Sequence, residues 1–149
     1  MGYDLYQIKG DAVFSCGMAT MGRLRDALDQ IGALAPYYLF ETALDAFLDE
    51  VEKSVPTPRR KHFTRVRLVP KTEEARAHRA RLYEGLHRIK SARFEHDERP
   101  PVNKFIGNAG WVVTPVECES LLRCVGFKHV NPSFAAFVEA VRETGFTVD

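Results

Sequence analysis

The alternation of apolar and polar positions predicts short β-strands at several places along the chain. Residues 3–8 and 12–14 are predicted to form two strands joined by a tight turn. In residues 63–69, basic positions alternate with apolar ones, which is the pattern of a half-buried strand. Residues 111–113 are aromatic and β-branched, so they suit a buried pleated surface. Residues 146–148 predict a short strand at the edge of the sheet.

A second pattern, with apolar residues spaced three and four positions apart, predicts helices, and the best marked helix follows residues 111–113. Thr114 is predicted to cap this helix, with Pro115 at its first position. Glu117 lies three residues after Thr114 and completes a capping box. Gly126 is expected to end the helix in a left-handed turn. Its buried face is predicted to consist of Cys118, Leu121, Leu122 and Val125.

The same order of signals returns directly afterwards. Asn131 is predicted to cap a helix, Pro132 to start it and Gly145 to close it. The apolar stripe of that helix is made of Phe134, Phe137, Val138 and Val141. Helical spacing also predicts helices in residues 20–31, 40–51 and 72–89.

These elements predict an α+β fold, with a small, mainly antiparallel sheet from residues 3–8, 63–69 and 111–113 and about five packed helices. The chain has 149 residues, a length typical of one domain that buries roughly 68–70% of its unfolded surface. Hydrophobic residues make up 45% and charged residues 28%, which is an ordinary globular composition. Since no long linker divides the chain, residues 1–149 are predicted to form a single domain.

The apolar runs and the cysteines indicate the cellular compartment of the protein. No apolar run approaches the roughly 18 residues that a membrane span requires. The first residues lack the charged-then-apolar pattern of a signal peptide. Three cysteines, an odd number, argue against a disulfide framework. We therefore expect a cytoplasmic protein with no membrane partner, while its oligomeric state does not follow from the sequence.

Cys16 is the candidate for covalent chemistry, because it stands between a predicted strand and a predicted helix, where a thiol can be activated. A nucleophilic cysteine also needs a histidine close in space. Five histidines are available and none has a spacing that selects it: His62, His78, His87, His96 and His129. The structural alternative for Cys16 is a small residue in a tight turn. No metal-ligand spacing is present, so neither a metal site nor a cofactor is predicted.

The charge of the chain is concentrated in its middle. Residues 59–93 carry twelve basic and three acidic side chains, which favours contact with an anionic macromolecule. An acidic protein surface is favoured over nucleic acid as that partner. The alternative is internal neutralisation, because the predicted helix of residues 40–51 has an acidic face, and this role is favoured for the basic residues of the predicted helix of residues 72–89. The candidate binding residues are Arg59, Arg60, Lys61, Arg65 and Arg67, of which the first three follow prolines and the last two share one face of the predicted strand.

Four segments together resemble a known group: MGYDLY at the start, MGRLRDAL at residues 21–28, GWVVTPVEC at residues 110–118 and FAAFVEAVRETGFTV at residues 134–148. They resemble a loose group of small uncharacterised proteins of bacteria and phages, which open with an MG-x-D-x-Y strand and close with a helix followed by Gly-Phe. The resemblance implies an α+β fold and a bacterial or phage origin. It implies no activity and no site residues.

The leading functional prediction is a non-enzymatic interaction protein of bacterial or phage origin that binds a host macromolecule. The first alternative is a nucleic-acid-binding module that uses the basic segment of residues 59–93. The second alternative is a small hydrolase or transferase in which Cys16 meets a distant histidine. No residue of the chain is predicted to be catalytic under the leading prediction.

Overall fold

Four strands form one antiparallel sheet in the computed structural model, which describes residues 2–35, 46, 73–93, 96–107 and 110–149. The strands are β1 (Gly2–Gln7), β2 (Val13–Gly17), β3 (Trp111–Val113) and β4 (Phe146–Val148), arranged in the order β2-β1-β4-β3. The predicted α+β class is confirmed. The predicted strand of residues 63–69 and, apart from Ala46, the predicted helix of residues 40–51 lie outside the described residues.

β4 lies inside the sheet, so the prediction of an edge strand for residues 146–148 is wrong. Val148 stands opposite Leu5 of β1 on one side and opposite Trp111 of β3 on the other. Phe146 and Val148 are fully buried. Alternating burial predicts which face of a strand meets the core, but it does not show how many neighbouring strands pair with it.

Gly145 lets the chain enter the sheet at this point. Its φ is +76°, and a Cβ there would lie 2.3 Å from the carbonyl oxygen of Val113. The Gly145 N–H donates to the carbonyl oxygen of Val141, which closes the preceding helix as predicted. No residue with a Cβ fits so close to β3. Glycine is therefore required where the chain passes from that helix into the middle of the sheet.

Five α-helices and one 3-10 helix accompany the sheet in the described part of the chain. They are α1 (Met18–Gln30), α2 (Glu73–Ser91), the 3-10 helix (Val102–Phe105), α3 (Pro115–Arg123), α4 (Phe127–Val130) and α5 (Pro132–Val141). None of the helices within these described ranges is both long enough and apolar enough to cross a lipid bilayer.

Some helix boundaries differ from the predictions. α1 begins at Met18 rather than Thr20, and β2 runs to Gly17 rather than ending at Phe14, so the strand passes directly into the helix. α3 ends at Arg123, since Cys124 already has an extended backbone. Gly126 is left-handed as predicted, with a φ of +89°, but it precedes α4 instead of ending α3.

The core lies between one face of the sheet and the helices, and Phe134 of α5 is at its centre. The Phe134 ring makes edge contacts with Phe14 of β2 at 5.4 Å and with Phe127 of α4 at 5.8 Å between ring centroids. It also meets Phe105 and Phe146 at 6.3 and 6.2 Å. Edge-to-face contacts of this kind add to the stability that burial alone supplies. One aromatic residue therefore joins the sheet, the 3-10 helix and two helices.

The predicted cap of α3 is present. The Thr114 hydroxyl accepts from the Glu117 N–H, and the Glu117 carboxylate accepts from the Thr114 N–H, so both halves of the capping box form. Val113 and Cys118, on either side of the cap, are fully buried. The local sequence signals therefore set the start of α3 correctly.

We expect Thr114→Ala to lower the free energy of unfolding by about 1 kcal/mol, because the first turn of α3 loses its hydroxyl cap. Urea denaturation followed by circular dichroism measures this change. Ser133→Ala is the matched control, since Ser133 is exposed in the first turn of α5. A midpoint for Thr114→Ala equal to that of the control would show that the cap does not stabilise α3.

Candidate functional site

The described structure buries one ion pair completely. The side chains of Lys104 and Glu117 are 1% and 0% exposed, and the Lys104 Nζ lies 2.8 Å from Glu117 Oε2 and 2.9 Å from Oε1. The same Nζ donates to the Val112 carbonyl oxygen at 2.6 Å. An ammonium has three N–H donors, so all of them have acceptors here. Charged groups enter a core in this way only when they are paired and hydrogen-bonded.

Three elements bring these groups together. Lys104 lies on the 3-10 helix, Val112 on β3 and Glu117 in the first turn of α3. Glu117 Oε2 also accepts from the N–H and the hydroxyl of Thr114, at 2.8 and 3.2 Å. The carboxylate that caps α3 is therefore the same one that receives the buried lysine.

The sequence of residues 94–104 is mostly polar and contains Pro100 and Pro101, which predicts a polar loop, and the burial of Lys104 corrects that prediction. Asn103, Lys104 and Phe105 are all buried. A lysine between Asn103 and Phe105 carries no sequence signal of burial, because lysine is almost never buried unless it is paired. Its partner Glu117 is thirteen residues further along the chain. Only the folded structure shows that the two side chains meet.

Burial favours the neutral form of both groups and shifts the pKa of each accordingly. Burial lowers the pKa of the Lys104 ammonium, and the Glu117 carboxylate opposes that shift. Burial likewise raises the pKa of Glu117, against the opposing effects of Lys104 and the Thr114 cap. Linkage turns both shifts into effects on stability. Since the pKa of Lys104 is lower in the folded state, its ammonium disfavours folding at pH values where it is charged. Since the pKa of Glu117 is higher in the folded state, its carboxylate disfavours folding at pH values where it is charged. The pair is therefore not a source of net stability at neutral pH, although breaking it is costly.

The enclosed pair has a structural role rather than a ligand-binding one. Neither side chain reaches solvent, and each Nζ proton is committed to an acceptor. The side-chain amide of the adjacent Asn103 is also buried, and it has no hydrogen-bond partner in the described part of the chain. Leaving such a group unsatisfied costs about 1–3 kcal/mol. Burial of Phe105 offsets that cost, and the hydrogen bonds of Lys104 fix the position of the 3-10 helix.

Cys16 lies on β2, half-buried against the core. Burial, and secondarily the Asp4 carboxylate, raise the pKa of the Cys16 thiol. A catalytic cysteine needs the opposite surroundings, electropositive ones that favour the thiolate. The described surroundings of Cys16 therefore favour a structural role, although Cys16 lies on a strand and not in the tight turn that the structural alternative predicted.

The basic part of the described chain is α2 together with the two residues that follow it. α2 lies against β3, and the side chains that pack there are in its second half, including Leu86 and Ile89. Its first half, by contrast, is exposed on most sides. Lys90 lies beside Asp149, where burial lowers the pKa of the ammonium and the Asp149 carboxylate opposes the shift. The Asp149 carboxylate thus partly offsets the charge of Lys90.

The arginines of this segment differ from most of those elsewhere on the surface. Arg25, Arg99, Arg123 and Arg142 each lie beside a carboxylate, while Arg23 of α1 is exposed and has no ion pair with a described residue. The arginines that are exposed between residues 73 and 93 form no ion pair with any described residue: Arg76, Arg81, Arg88 and Arg93. The arginine charge that the described structure leaves uncompensated is therefore concentrated along α2.

An aromatic side chain lies among these arginines. The Tyr83 side chain is 57% exposed, and the Arg79 guanidinium lies 5.3 Å from the centre of its ring. The Arg79 Nη2 also donates to the Tyr83 hydroxyl at 3.4 Å. A cation over an aromatic face is a stabilising contact, and at positions i and i+4 it also supports the helix.

The residues chosen from the sequence as a binding site, Arg59, Arg60, Lys61, Arg65 and Arg67, lie outside the described residues and remain a prediction. Within residues 73–93 the basic character continues, with six basic and three acidic side chains. The described ranges hold no group of three or more histidine, cysteine, aspartate or glutamate side chains arranged to bind a metal ion.

Comparisons of the chain with protein-family models, with curated proteins and with solved structures found no match. Its function must therefore be inferred from its own residues.

We expect Lys104→Met and Glu117→Gln to lower the free energy of unfolding by on the order of 3–5 kcal/mol each, since each leaves one buried charge unpaired. The double variant should recover most of that loss, because both charges are gone and the glutamine oxygen can still accept from the cap. A double-mutant cycle by urea denaturation measures the coupling. Additive losses in the double variant would contradict a paired role.

We expect Cys16 to react slowly with iodoacetamide at neutral pH, because its raised pKa leaves little thiolate. The rate should rise with pH and reach its midpoint above the ordinary thiol value of 9.0. Mass spectrometry of the alkylated peptide measures the rate, and Cys16→Ser identifies the site. Asp4→Asn should speed the reaction by removing the nearby negative charge. A midpoint at or below the ordinary value would support an activated thiol.

Proposed function

We propose that this protein is a non-enzymatic interaction protein, and that the exposed arginines of α2 contact an anionic protein surface. One observation carries the proposal: Arg76, Arg81 and Arg88 are exposed and have no carboxylate partner among the described residues, whereas Arg25, Arg99, Arg123 and Arg142 are paired and only Arg23 is an unpaired arginine elsewhere in the described ranges. Uncompensated charge of one sign on a helix attracts a partner of the opposite sign and speeds its association.

The charges between these arginines favour a protein partner. Glu73 and Glu74 lie in the first turn of α2, and Glu84 lies in its exposed middle. A row of phosphates would be repelled by these carboxylates, because a nucleic-acid backbone presents one sign of charge throughout. A protein surface can instead place acidic groups against the arginines and basic groups against the glutamates. The mixed pattern therefore fits an acidic protein better than a nucleic acid.

Nucleic acid is the second candidate, and Tyr83 is the observation that favours it. An aromatic ring beside arginines is a surface on which unpaired bases stack. Arg79 over the Tyr83 ring resembles such a platform. Single-stranded rather than duplex nucleic acid would be the ligand in this case, since stacking requires unpaired bases.

The cellular setting of the proposal comes from the resemblance of the two ends of the chain to small bacterial and phage proteins. We propose a cytoplasmic protein of that origin whose partner is a host macromolecule. The third candidate, a cysteine-dependent hydrolase or transferase, receives no support from the surroundings of Cys16, where burial and Asp4 both disfavour the thiolate.

A labelled polyglutamate peptide tests the leading proposal by fluorescence polarisation at low salt. The triple variant Arg76→Gln, Arg81→Gln, Arg88→Gln should bind it about threefold to 150-fold more weakly, since each exposed ion pair contributes about 0.2–1 kcal/mol. Binding by the unaltered protein should weaken as salt is added. The melting temperature of the variant should be nearly unchanged, because substitutions at exposed positions cost little.

A second triple variant, Arg25→Gln, Arg123→Gln, Arg142→Gln, is the matched control, because it removes the same charge from arginines that already have partners. It should keep the affinity of the unaltered protein. Single- and double-stranded DNA and RNA oligonucleotides are tested in parallel. Binding of single strands but not of polyglutamate would transfer the role of α2 to nucleic acid. Equal losses in both triple variants would mean that net charge alone drives binding and would overturn both versions.

A further inference from the structure

β2 forms one end of the sheet, and its outer edge has no neighbour among the described strands. Val13, Ser15 and Gly17 are exposed along it, and the Val13 side chain is 52% exposed. The strand reads VFSCG, so it has no charged residue and no proline. Natural proteins usually protect an exposed edge with charges, prolines or bulges. β2 carries none of the residues that serve this purpose.

The register of β1 and β2 shows which backbone groups point outwards. The Gln7 N–H donates to the Ala12 carbonyl oxygen at 2.9 Å. Because hydrogen-bonded pairs alternate along an antiparallel ladder, Leu5 with Phe14 and Tyr3 with Cys16 are also hydrogen-bonded pairs.

Asp4, opposite Ser15, confirms this alternation. Its N–H and carbonyl oxygen are both bonded to Asp149 of the neighbouring segment, at 2.8 and 2.9 Å. The backbone of Ser15 is therefore directed away from β1, and so are the N–H groups of Val13 and Gly17. These outward groups lie symmetrically about Ser15.

We propose that β2 pairs with β2 of a second copy of this chain, antiparallel and centred on Ser15, to form one continuous sheet across a two-fold axis. Ser15 then exchanges both backbone hydrogen bonds with Ser15 of the second copy. The Gly17 N–H donates to the Val13 carbonyl oxygen of the second copy, and the symmetric bond forms at the other end. A self-complementary patch of this kind is what a two-fold dimer requires.

The side chains fit this register. Val13 of one copy lies beside Gly17 of the other on the outer face of the sheet. A Cβ built on Gly17 meets no atom within 4 Å, so the space for the Val13 side chain is open. On the core side, Phe14 of one copy lies opposite Cys16 of the other. An apolar side chain therefore meets a small residue at each of the two steps that flank the central Ser15 pair.

Charge does not oppose a second copy as the occupant. The nearest charge on the outer face is Asp4, which is opposite Ser15 on β1 and accepts from the Ser15 hydroxyl at 2.6 Å. In the paired sheet the two Asp4 residues are three strand spacings apart, or about 14 Å. This exceeds the Debye length of about 8 Å at physiological ionic strength, so the two carboxylates scarcely repel each other.

Sedimentation and light scattering of the full chain over a range of concentrations test the dimer. Ser15→Pro removes the central outward N–H without breaking the ladder to β1, and it should raise the dimer dissociation constant at least about tenfold. Ser15→Ala is its matched control, since it loses the same hydroxyl but keeps the N–H. Val13→Lys should have the effect of Ser15→Pro. Its control is Val125→Lys, at a position that is 92% exposed elsewhere on the surface.

The register has its own test. Ser15→Cys, combined with Cys16→Ser and Cys124→Ser, should form a disulfide between two copies under mild oxidation. The expected Cα separation of about 5.5 Å across a hydrogen-bonded pair lies within the disulfide range of about 4.4–6.8 Å. Mass spectrometry should then find position 15 of one chain joined to the same position of another chain.

A chain that stays monomeric at every concentration would overturn the proposal. A dimer that resists both Ser15→Pro and Val13→Lys would also overturn it, since it would use another surface. The same holds for a dimer that Ser15→Ala or Val125→Lys weakens as strongly. A dimer lost in the two edge variants, kept in the two controls and cross-linked at position 15 supports the pairing.

Discussion

A buried charge must have partners for all of its polar atoms, and in this protein that requirement governs how the sheet and the helices meet. Lys104 enters the core only because Glu117 and the Val112 carbonyl oxygen surround its ammonium. The pair forces the 3-10 helix, β3 and the start of α3 into one arrangement. An apolar contact would tolerate a shift or rotation of these elements, whereas a lysine with three committed hydrogen bonds would not. We therefore assign the pair a role in specifying the arrangement rather than in adding stability.

Glu117 connects this constraint to the local structure of α3. The same carboxylate caps the helix through Thr114 and neutralises Lys104. Since α3 leads through α4 and α5 into β4, its starting direction influences where β4 is inserted between β1 and β3. Phe134 and Phe146 complete that connection in the core. A helix cap and a buried ion pair thus depend on one side chain.

The two proposed interaction surfaces lie at opposite ends of the sheet. α2 lies against β3 at one end of the sheet, and the uncharged edge of β2 is at the other end. A dimer formed through β2 would leave α2 of each copy at opposite ends of the joined sheet. The proposed contact with an acidic partner and the proposed self-pairing therefore do not compete for the same surface. Two copies would present two separated basic helices, and a partner able to reach both would bind with higher avidity.

Local signals in the sequence determined the elements whose chemistry is complete within a few residues. Thr114, Pro115 and Glu117 mark the start of α3 because a capping box needs only one turn of chain. Gly145 marks the end of α5 for a similar reason, since its left-handed backbone is a local requirement. The basic character of α2 was also evident from the sequence, because the basic residues between positions 73 and 93 lie close together along the chain.

Features that depend on partners distant in the chain were decided by the tertiary structure alone. β4 reads as an edge strand until β1, from the other end of the chain, pairs with it. Lys104 reads as part of a polar loop because the sequence shows its charge but not the carboxylate and carbonyl that surround it. That β2 has only one neighbour among the described strands likewise follows from the strand order and not from its residues. In each case the free energy of a polar or charged group depends on the groups that surround it in the fold, and no short stretch of sequence contains that information.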